Sequence, residues 1–177
     1  MRATGIVRRI DELGRVVIPK EIRRTQRIHS GDALEIFTDG KGEVVFKKYS
    51  PLAELGEPAA AYADVLARRL GCGVAVCDRE KIVAAAGAGR SELLGEPLPP
   101  ELDALLARRK LYTAPEEPLH RVALGNRWLL CAAPVLVHGD IEGGVLLPGM
   151  RRDAVPDPET IRAAATAAEF LARWMGE

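Results

Sequence analysis

Twelve residues near the start, LGRVVIPKEIRR (Leu13–Arg24), constrain the fold more than any other stretch. Gly14 is free to take a positive φ and turn the chain, and Val16, Val17 and Ile18 make a β-branched run. Pro19 then suits the first turn of a helix, where its missing N–H costs nothing. The preceding TGIVRRID alternates as a strand should, so it and RVVIP are expected to pair as a hairpin turning at ELG. KEIRRTQRI reads as a short basic helix stopped by HSGD. ALEIFTD and EVVFKKY alternate around GKG, which predicts a second hairpin with glycines at its turn. The order is ββαββ.

A unit of about fifty residues with so few short elements buries too little apolar surface to be secure alone. Cys72, Cys77 and Cys131 all lie beyond it, so no disulfide supports it, and none stands at metal-ligand spacing with a histidine. The remaining support is a second copy, and two chains are expected to interleave their hairpins into one core. Residues 1–50 carry eleven Lys/Arg against seven Asp/Glu, and residues 51–177 fourteen against eighteen. A net charge of zero is therefore +4 in front and −4 behind, as in a basic binding module joined to an acidic partner.

TGIVRRIDELGRVVIPKEIRR closely resembles the AbrB-type swapped-hairpin DNA-binding domain, whose pattern is a hairpin turning at Leu-Gly-Arg, an apolar pair and Pro-Lys-Glu-Ile-Arg. The resemblance covers residues 1 to about 50 and implies that Arg8, Arg15, Arg23 and Arg24 face double-stranded DNA, with Arg9 and Lys20 adjacent. The residues support this separately. Arg15 follows the turn glycine and projects at a hairpin tip, while Arg23 and Arg24 fall one turn beyond Lys20 on one helix. Guanidinium forks bind phosphate or a guanine edge bidentately, and dimer symmetry doubles the set. Binding should be strongly salt-dependent.

Beyond the first fifty residues, Gly56 and Pro58 interrupt a helix opened by Pro51, so firm helix is expected from about Glu57 to Leu70, with Gly71 as its stop. Leu55, Tyr62, Leu66 and Leu70 lie near one face of this connector. CGVAVCD and KIVAAAG flank the turn REK, RVALG and RWLLCAAPVLV flank GN, and IEGGVLLPG follows HGD. Pro99-Pro100 precedes an amphipathic helix bearing Leu102, Leu105 and Leu106. In the last helix Asp157 is the candidate N-cap, with Ile161, Ala164, Ala168, Leu171 and Met175 along one stripe. One antiparallel sheet with helices follows, and the fold class is α+β.

This half resembles a small GAF or PAS-type sensory domain, and both halves in this order resemble the SpoVT-like family of sporulation regulators. The resemblance implies an AbrB-like DNA-binding and dimerisation domain at 1–50, a connector helix at 51–70 and a GAF-like sensory and oligomerisation domain at 71–177. It further implies a transcription regulator that is a homodimer through the N-terminal domain and a homotetramer when C-terminal helices pair. A sensory domain holds a small ligand between its sheet and covering loops, here AGAGRSELLGEPLP and residues near Leu111 to Thr113. Arg90, Tyr112 and Trp128 are the candidates for ligand binding.

Catalytic residues, metal and cofactor are not expected. His29, His120 and His138 are scattered, and the three cysteines sit in apolar strand patterns where a thiol behaves as an inert hydrophobe. The start of the chain lacks the apolar core of a signal peptide and no stretch approaches membrane-spanning length, so a cytoplasmic, nucleoid-associated protein is expected. Arginine outnumbers lysine nineteen to six, and Gln26 and Asn126 are the sole side-chain amides, a thermophile-like composition. Two rivals remain. An antitoxin would end in a disordered tail rather than the periodic strands and helices of Pro51–Glu177, and a thiol redox enzyme would need an activated cysteine.

Overall fold

Asp11 and Asp39 close the same five-residue turn twice. In DELGR, Asp11 Oδ1 accepts the backbone N–H groups of Leu13 at 3.0 Å and Arg15 at 2.8 Å, and the Asp11 N–H donates to the Arg15 carbonyl at 3.0 Å. In DGKGE, Asp39 Oδ1 accepts from Lys41 at 3.0 Å and Glu43 at 2.8 Å, and the Asp39 N–H donates to the Glu43 carbonyl at 3.2 Å. The fourth residue of each turn is a glycine at positive φ, 75° at Gly14 and 83° at Gly42. Glycine supplies the left-handed conformation and aspartate the acceptor for inward-facing donors.

The computed structural model describes residues 4–26, 28, 30–115 and 121–176. It divides the chain into two units, Met1–Tyr49 and Ser50–Glu177. In the first unit, β1 (Leu34–Thr38) and β2 (Val44–Lys48) pair antiparallel, Leu34 opposite Lys48 and Thr38 opposite Val44. The other expected hairpin is only half formed: its turn closes, but residues 4–10 and 15–19 carry no strand pairing. The cause is lack of neighbours. Val7 is 85% exposed, Leu13 74% and Val17 70%, and among the described residues of this unit only Pro19 is buried. Such strands have no apolar surface of their own chain to lie on. Helix α1 (Lys20–Thr25) starts after Pro19 and ends sooner than KEIRRTQRI suggested, with Gln26 as its C-cap.

The second unit opens with Ser50, whose hydroxyl accepts the Ala53 N–H as the N-cap of α2 (Pro51–Glu54). That hydroxyl also donates to Asp78 at 3.0 Å, and Asp78 in turn accepts the N–H groups of Glu80 and Lys81 across the REK turn. Helix α3 (Gly56–Leu70) ends at Gly71, φ 63°. Its buried face is Ala59, Ala63 and Ala67, with Leu55, Tyr62, Leu66 and Leu70 only partly buried beside it. Small side chains let the helix lie close on the sheet, which puts the contact stripe on alanine rather than on the larger residues expected.

The sheet is antiparallel, in the order β4-β3-β8-β7-β5, with β6 also on β7. Its strands are β3 (Val74–Cys77), β4 (Ile82–Ala86), β5 (Tyr112–Thr113), β6 (Ala123–Leu124), β7 (Arg127–Val137) and β8 (Asp140–Gly149). Val74 and Val76 face one core with α3 and α6 (Pro158–Gly176), and Ala75 and Cys77 face the other, with Leu93 of α4 (Arg90–Leu93) and Leu102 of α5 (Pro100–Leu106). Period-two alternation thus serves two apolar cores, so β3 reads as a continuous apolar run. The β7–β8 turn is His138-Gly139, at φ 50° and 90°, the left-handed pair of a type I′ hairpin. Asp157 caps α6 as expected, accepting the Thr160 N–H and hydroxyl at 2.8 Å each.

Candidate nucleic-acid interface and buried arginines

Arg15 stands at the tip of the Asp11 turn because its backbone closes that turn. Its Nε donates to Asp11 Oδ2 at 2.8 Å, which leaves the two terminal guanidinium nitrogens directed elsewhere. Asp11 is held below the usual carboxylate range, first by the Arg15 N–H and then by the Arg15 side chain. Arg8 and Arg9 lie on the segment entering the turn, and Lys20, Arg23 and Arg24 on α1. All six basic residues are exposed. Among the described residues, Arg9, Lys20, Arg23 and Arg24 form no ion pair. Guanidiniums and ammonium groups left in water keep their donors for an external anion.

The three ligand candidates fall on three different elements, α4, β5 and β7. Arg90 is exposed at the start of α4. Trp128 is paired with Ala123 and Gly149 on either side, and the Arg152 guanidinium lies 4.6 Å from its ring centroid. Tyr112 sits on edge strand β5 opposite Ala132, its hydroxyl buried and without a hydrogen-bond partner. No hydrogen bond, ion pair or ring contact joins these three. His138 belongs to the β7–β8 turn, while His29 and His120 lie outside the described residues. Among the described residues no cluster of His, Cys, Asp and Glu could hold a metal.

Sequence reading passed over two buried arginines on the β6–β7 hairpin. Arg127 is 6% exposed: its Nη1 donates to Met150 Sδ at 2.8 Å and its Nε lies 3.4 Å from Glu92 Oε2. Gly89 makes room for it, since a β-carbon there would fall inside the guanidinium. Arg121 is 7% exposed, and its Nη1 donates to the Ala154 carbonyl. The signal was an arginine at each end of RVALGNR, each followed directly by an apolar residue, Val122 and Trp128.

Burial pushes the thiols away from reactivity. Cys131 is pushed up to about 12 by desolvation, Cys77 further by desolvation and the nearby Asp78 charge, and Cys72 upward by desolvation and then Asp157. Such thiols stay protonated at neutral pH.

A basic, apolar-exposed unit followed by a two-core sheet domain is the layout of a two-part transcription regulator. The description "Stage V sporulation protein T C-terminal, transcription factor" matches residues 54–176, and "Antidote-toxin recognition MazE, bacterial antitoxin" matches residues 7–53. Stage V sporulation protein T of Bacillus subtilis (strain 168) is 41% identical over 186 residues, covering 99% of both chains. The chain belongs to the stage V sporulation protein T family, and it is a sporulation-type transcriptional regulator. The transition state regulatory protein AbrB of the same organism is 59% identical over 51 residues, 29% of this chain and 52% of that one.

Among solved structures, a type II free methionine-R-sulfoxide reductase from Thermoplasma acidophilum is similar with TM-score 0.50 at 14% identity, covering 68% of this chain and 94% of that one. The second GAF domain of DevS from Mycobacterium smegmatis is similar with TM-score 0.49 at 18% identity, covering 71% and 92%. The N-terminal half is similar to AbrB, the C-terminal half is an antiparallel sheet with helices, and the chain overall is α+β.

Proposed function

We propose that the chain binds promoter DNA as a homo-oligomer through Arg8, Arg9, Arg15, Lys20, Arg23 and Arg24. The observation that carries this is the Asp11 turn, which presents Arg15 at an exposed tip one short segment before the basic helix α1. Two copies form the N-terminal domain together, each supplying strands for the other's unpaired residues 4–18. Exposed Val7, Ile10, Leu13, Val16 and Val17 are the side chains that such a shared core would bury.

The working division is residues 1–50 for DNA and dimerisation, 51–70 as connector and 71–177 for sensing and assembly. A homotetramer forms when copies meet through α3 and α6. Tyr62 stacks on Phe170 at 4.7 Å, Phe170 meets Trp174 edge-on at 5.4 Å, and Phe170 and Trp174 remain 39% and 51% exposed. A second copy offering the same aromatic cluster would cover it isologously. The protein works in the cytoplasm on the nucleoid. No helix among the described residues is long and apolar enough to cross a membrane. In this reading it is a regulator and not an enzyme, and the burial that holds its thiols protonated speaks against the thiol redox alternative. The antitoxin reading loses to the folded, family-matched residues 54–176.

The test is binding to a labelled A·T-rich duplex across a salt series, wild type beside an Arg15→Ala, Arg23→Ala double variant. The log–log salt slope should be steep and flatten by about 1 for each phosphate contact removed. An equal slope and affinity in the double variant would remove the arginine assignment.

A further inference from the structure

An exposed sulfur and a buried cation meet where β8 ends beside the start of β7. Met150, the residue after β8, is 68% exposed. Arg127, the first residue of β7, is 6% exposed, and its Nη1 donates to Met150 Sδ at 2.8 Å. The sheet keeps the two together, because Trp128 pairs with Gly149, and each of those is the chain neighbour of one of them. The guanidinium has no room to withdraw. Gly89 closes on it so tightly that a β-carbon there would overlap it, and its Nε lies 3.4 Å from Glu92 Oε2.

A thioether is a weak acceptor for a charged donor, and a guanidinium has donors alone. Oxidation changes the sulfur and leaves the cation as it is. A sulfur lone pair attacks hydrogen peroxide, the O–O bond breaks as an S–O bond forms, and the other peroxide oxygen leaves as water with both peroxide protons. Sulfur is oxidised by two electrons to the sulfoxide, and the peroxide is reduced. The sulfur has a second lone pair, so the bond from Arg127 leaves one for the oxidant. The product is a polar group with negative charge on its oxygen, one bond away from the atom that Arg127 already touches.

We propose that Met150 is a site of oxidation by peroxide and that the Arg127 guanidinium holds the resulting sulfoxide oxygen. Three rotatable bonds let the Met150 side chain turn that oxygen onto Nη1, where a charge-assisted hydrogen bond replaces the weak one to sulfur. The sign of the effect on stability follows. A sulfoxide in an apolar contact disrupts it, as it would at Met175, which packs partly buried against the core between the sheet, α3 and α6. At Met150 the sulfoxide gives a buried cation a better acceptor, so oxidation stabilises the fold there.

The full-length protein is treated with graded hydrogen peroxide, following oxygen uptake at each methionine by peptide mass spectrometry and the melting midpoint in parallel. Met150 should be oxidised at doses that leave Met175 intact, and at those doses the midpoint should rise by roughly 2–4 °C. The two methionine sulfoxide reductases together, one for each sulfoxide epimer, should reverse the rise, and dithiothreitol should not. Met150→Gln, whose amide oxygen stands in for the sulfoxide, should melt above Met150→Leu with no peroxide added. In Arg127→Lys, which keeps the charge and loses the planar donor set, oxidation of Met150 should bring no rise. Should Arg127→Lys fail to fold, the comparison of Met150→Gln with Met150→Leu decides the role of Arg127.

Oxidation of Met150 no faster than that of Met175 overturns the site. A midpoint that falls as Met150 sulfoxide forms, or Met150→Gln melting no higher than Met150→Leu, overturns the hold by Arg127. A rise that persists in Met150→Leu and is reversed by dithiothreitol belongs to the cysteines and overturns the proposal as a whole.

Discussion

One carboxylate fixes Arg15 twice: Asp11 Oδ1 accepts its backbone N–H and Oδ2 its Nε, each at 2.8 Å. The pair is largely solvent-exposed, and exposed ion pairs add little stability. Its consequence is orientation, because an arginine held at its backbone and Nε has fewer rotamers to lose when it meets DNA. Asp11→Asn keeps an acceptor for the turn and removes a negative charge, whereas Asp11→Ala removes both. Asp11→Asn should bind DNA at least as tightly as wild type, and Asp11→Ala should bind about three- to tenfold more weakly despite losing the same charge. Fluorescence anisotropy at fixed salt decides it: equal affinities for the two variants would leave the Asp11 turn acceptor without a role in presenting Arg15.

The exposed apolar side chains of the first unit predict a chain with no stable folded monomer of that unit. Burying Val7, Ile10 and Val17 against a second copy makes folding and association one event, so the melting midpoint should rise with protein concentration. Val17→Asp puts a charge into the shared core and should abolish both the dimer and DNA binding. Residues 50–177 bury their own two cores and should keep their melting transition in that variant. Sedimentation of dilute wild type showing a folded monomer would contradict the shared core.

Local chemistry made much of this fold legible, and the misreadings share a cause. Hairpins announced by a glycine turn or a two-residue loop, such as GKG, GN and HGD, stand where the pattern put them, and Asp157 caps α6. The expected RVVIP strand is not formed, because a β-branched run makes a ladder only with a neighbour and none of the described residues pairs with it. On α3 the pattern favoured large residues, whereas close approach to the sheet selected Ala59, Ala63 and Ala67. Arg121 and Arg127 went unremarked in the sequence because burial of a polar group depends on what folds over it, here the Gly89 loop and the Ala154 carbonyl. The basic residues at 8–24 were legible because display on a tip and a short helix is a local property.

The α6 cap predicts a defined acid dependence. Asp157 is held below its ordinary carboxylate range by the Thr160 N–H first and the Thr160 hydroxyl next. A depressed folded pKa means that the stabilisation is present above the unfolded value of about 3.9 and is lost as pH falls through the lower folded value. Asp157→Ala should lower the melting midpoint at pH 7 by roughly 2–4 °C, the scale of one lost N-cap in a chain this size. Asp157→Asn still caps and should cost less. The gap between wild type and Asp157→Asn should be constant from pH 7 to about 5 and close below about 4. A gap that widened on acidification would contradict the lowered pKa.

The cysteines test whether the C-terminal sheet performs thiol chemistry. With Cys131 pushed up to about 12, its thiolate fraction at pH 7 is on the order of 10⁻⁵, and Cys77 is pushed up further. Both are buried in the sheet, so reaction with a thiol reagent requires the sheet to open. In the native protein at pH 7.5, Ellman's reagent should modify Cys77 and Cys131 only at the rate of unfolding. Cys72, half-buried and raised both by desolvation and by the Asp157 charge, should react first but slowly, and faster in Asp157→Asn. Denaturant should expose all three at once. Rapid native labelling of Cys77 or Cys131, with a titration midpoint below about 8.5, would mark an activated nucleophile and return the thiol enzyme to consideration.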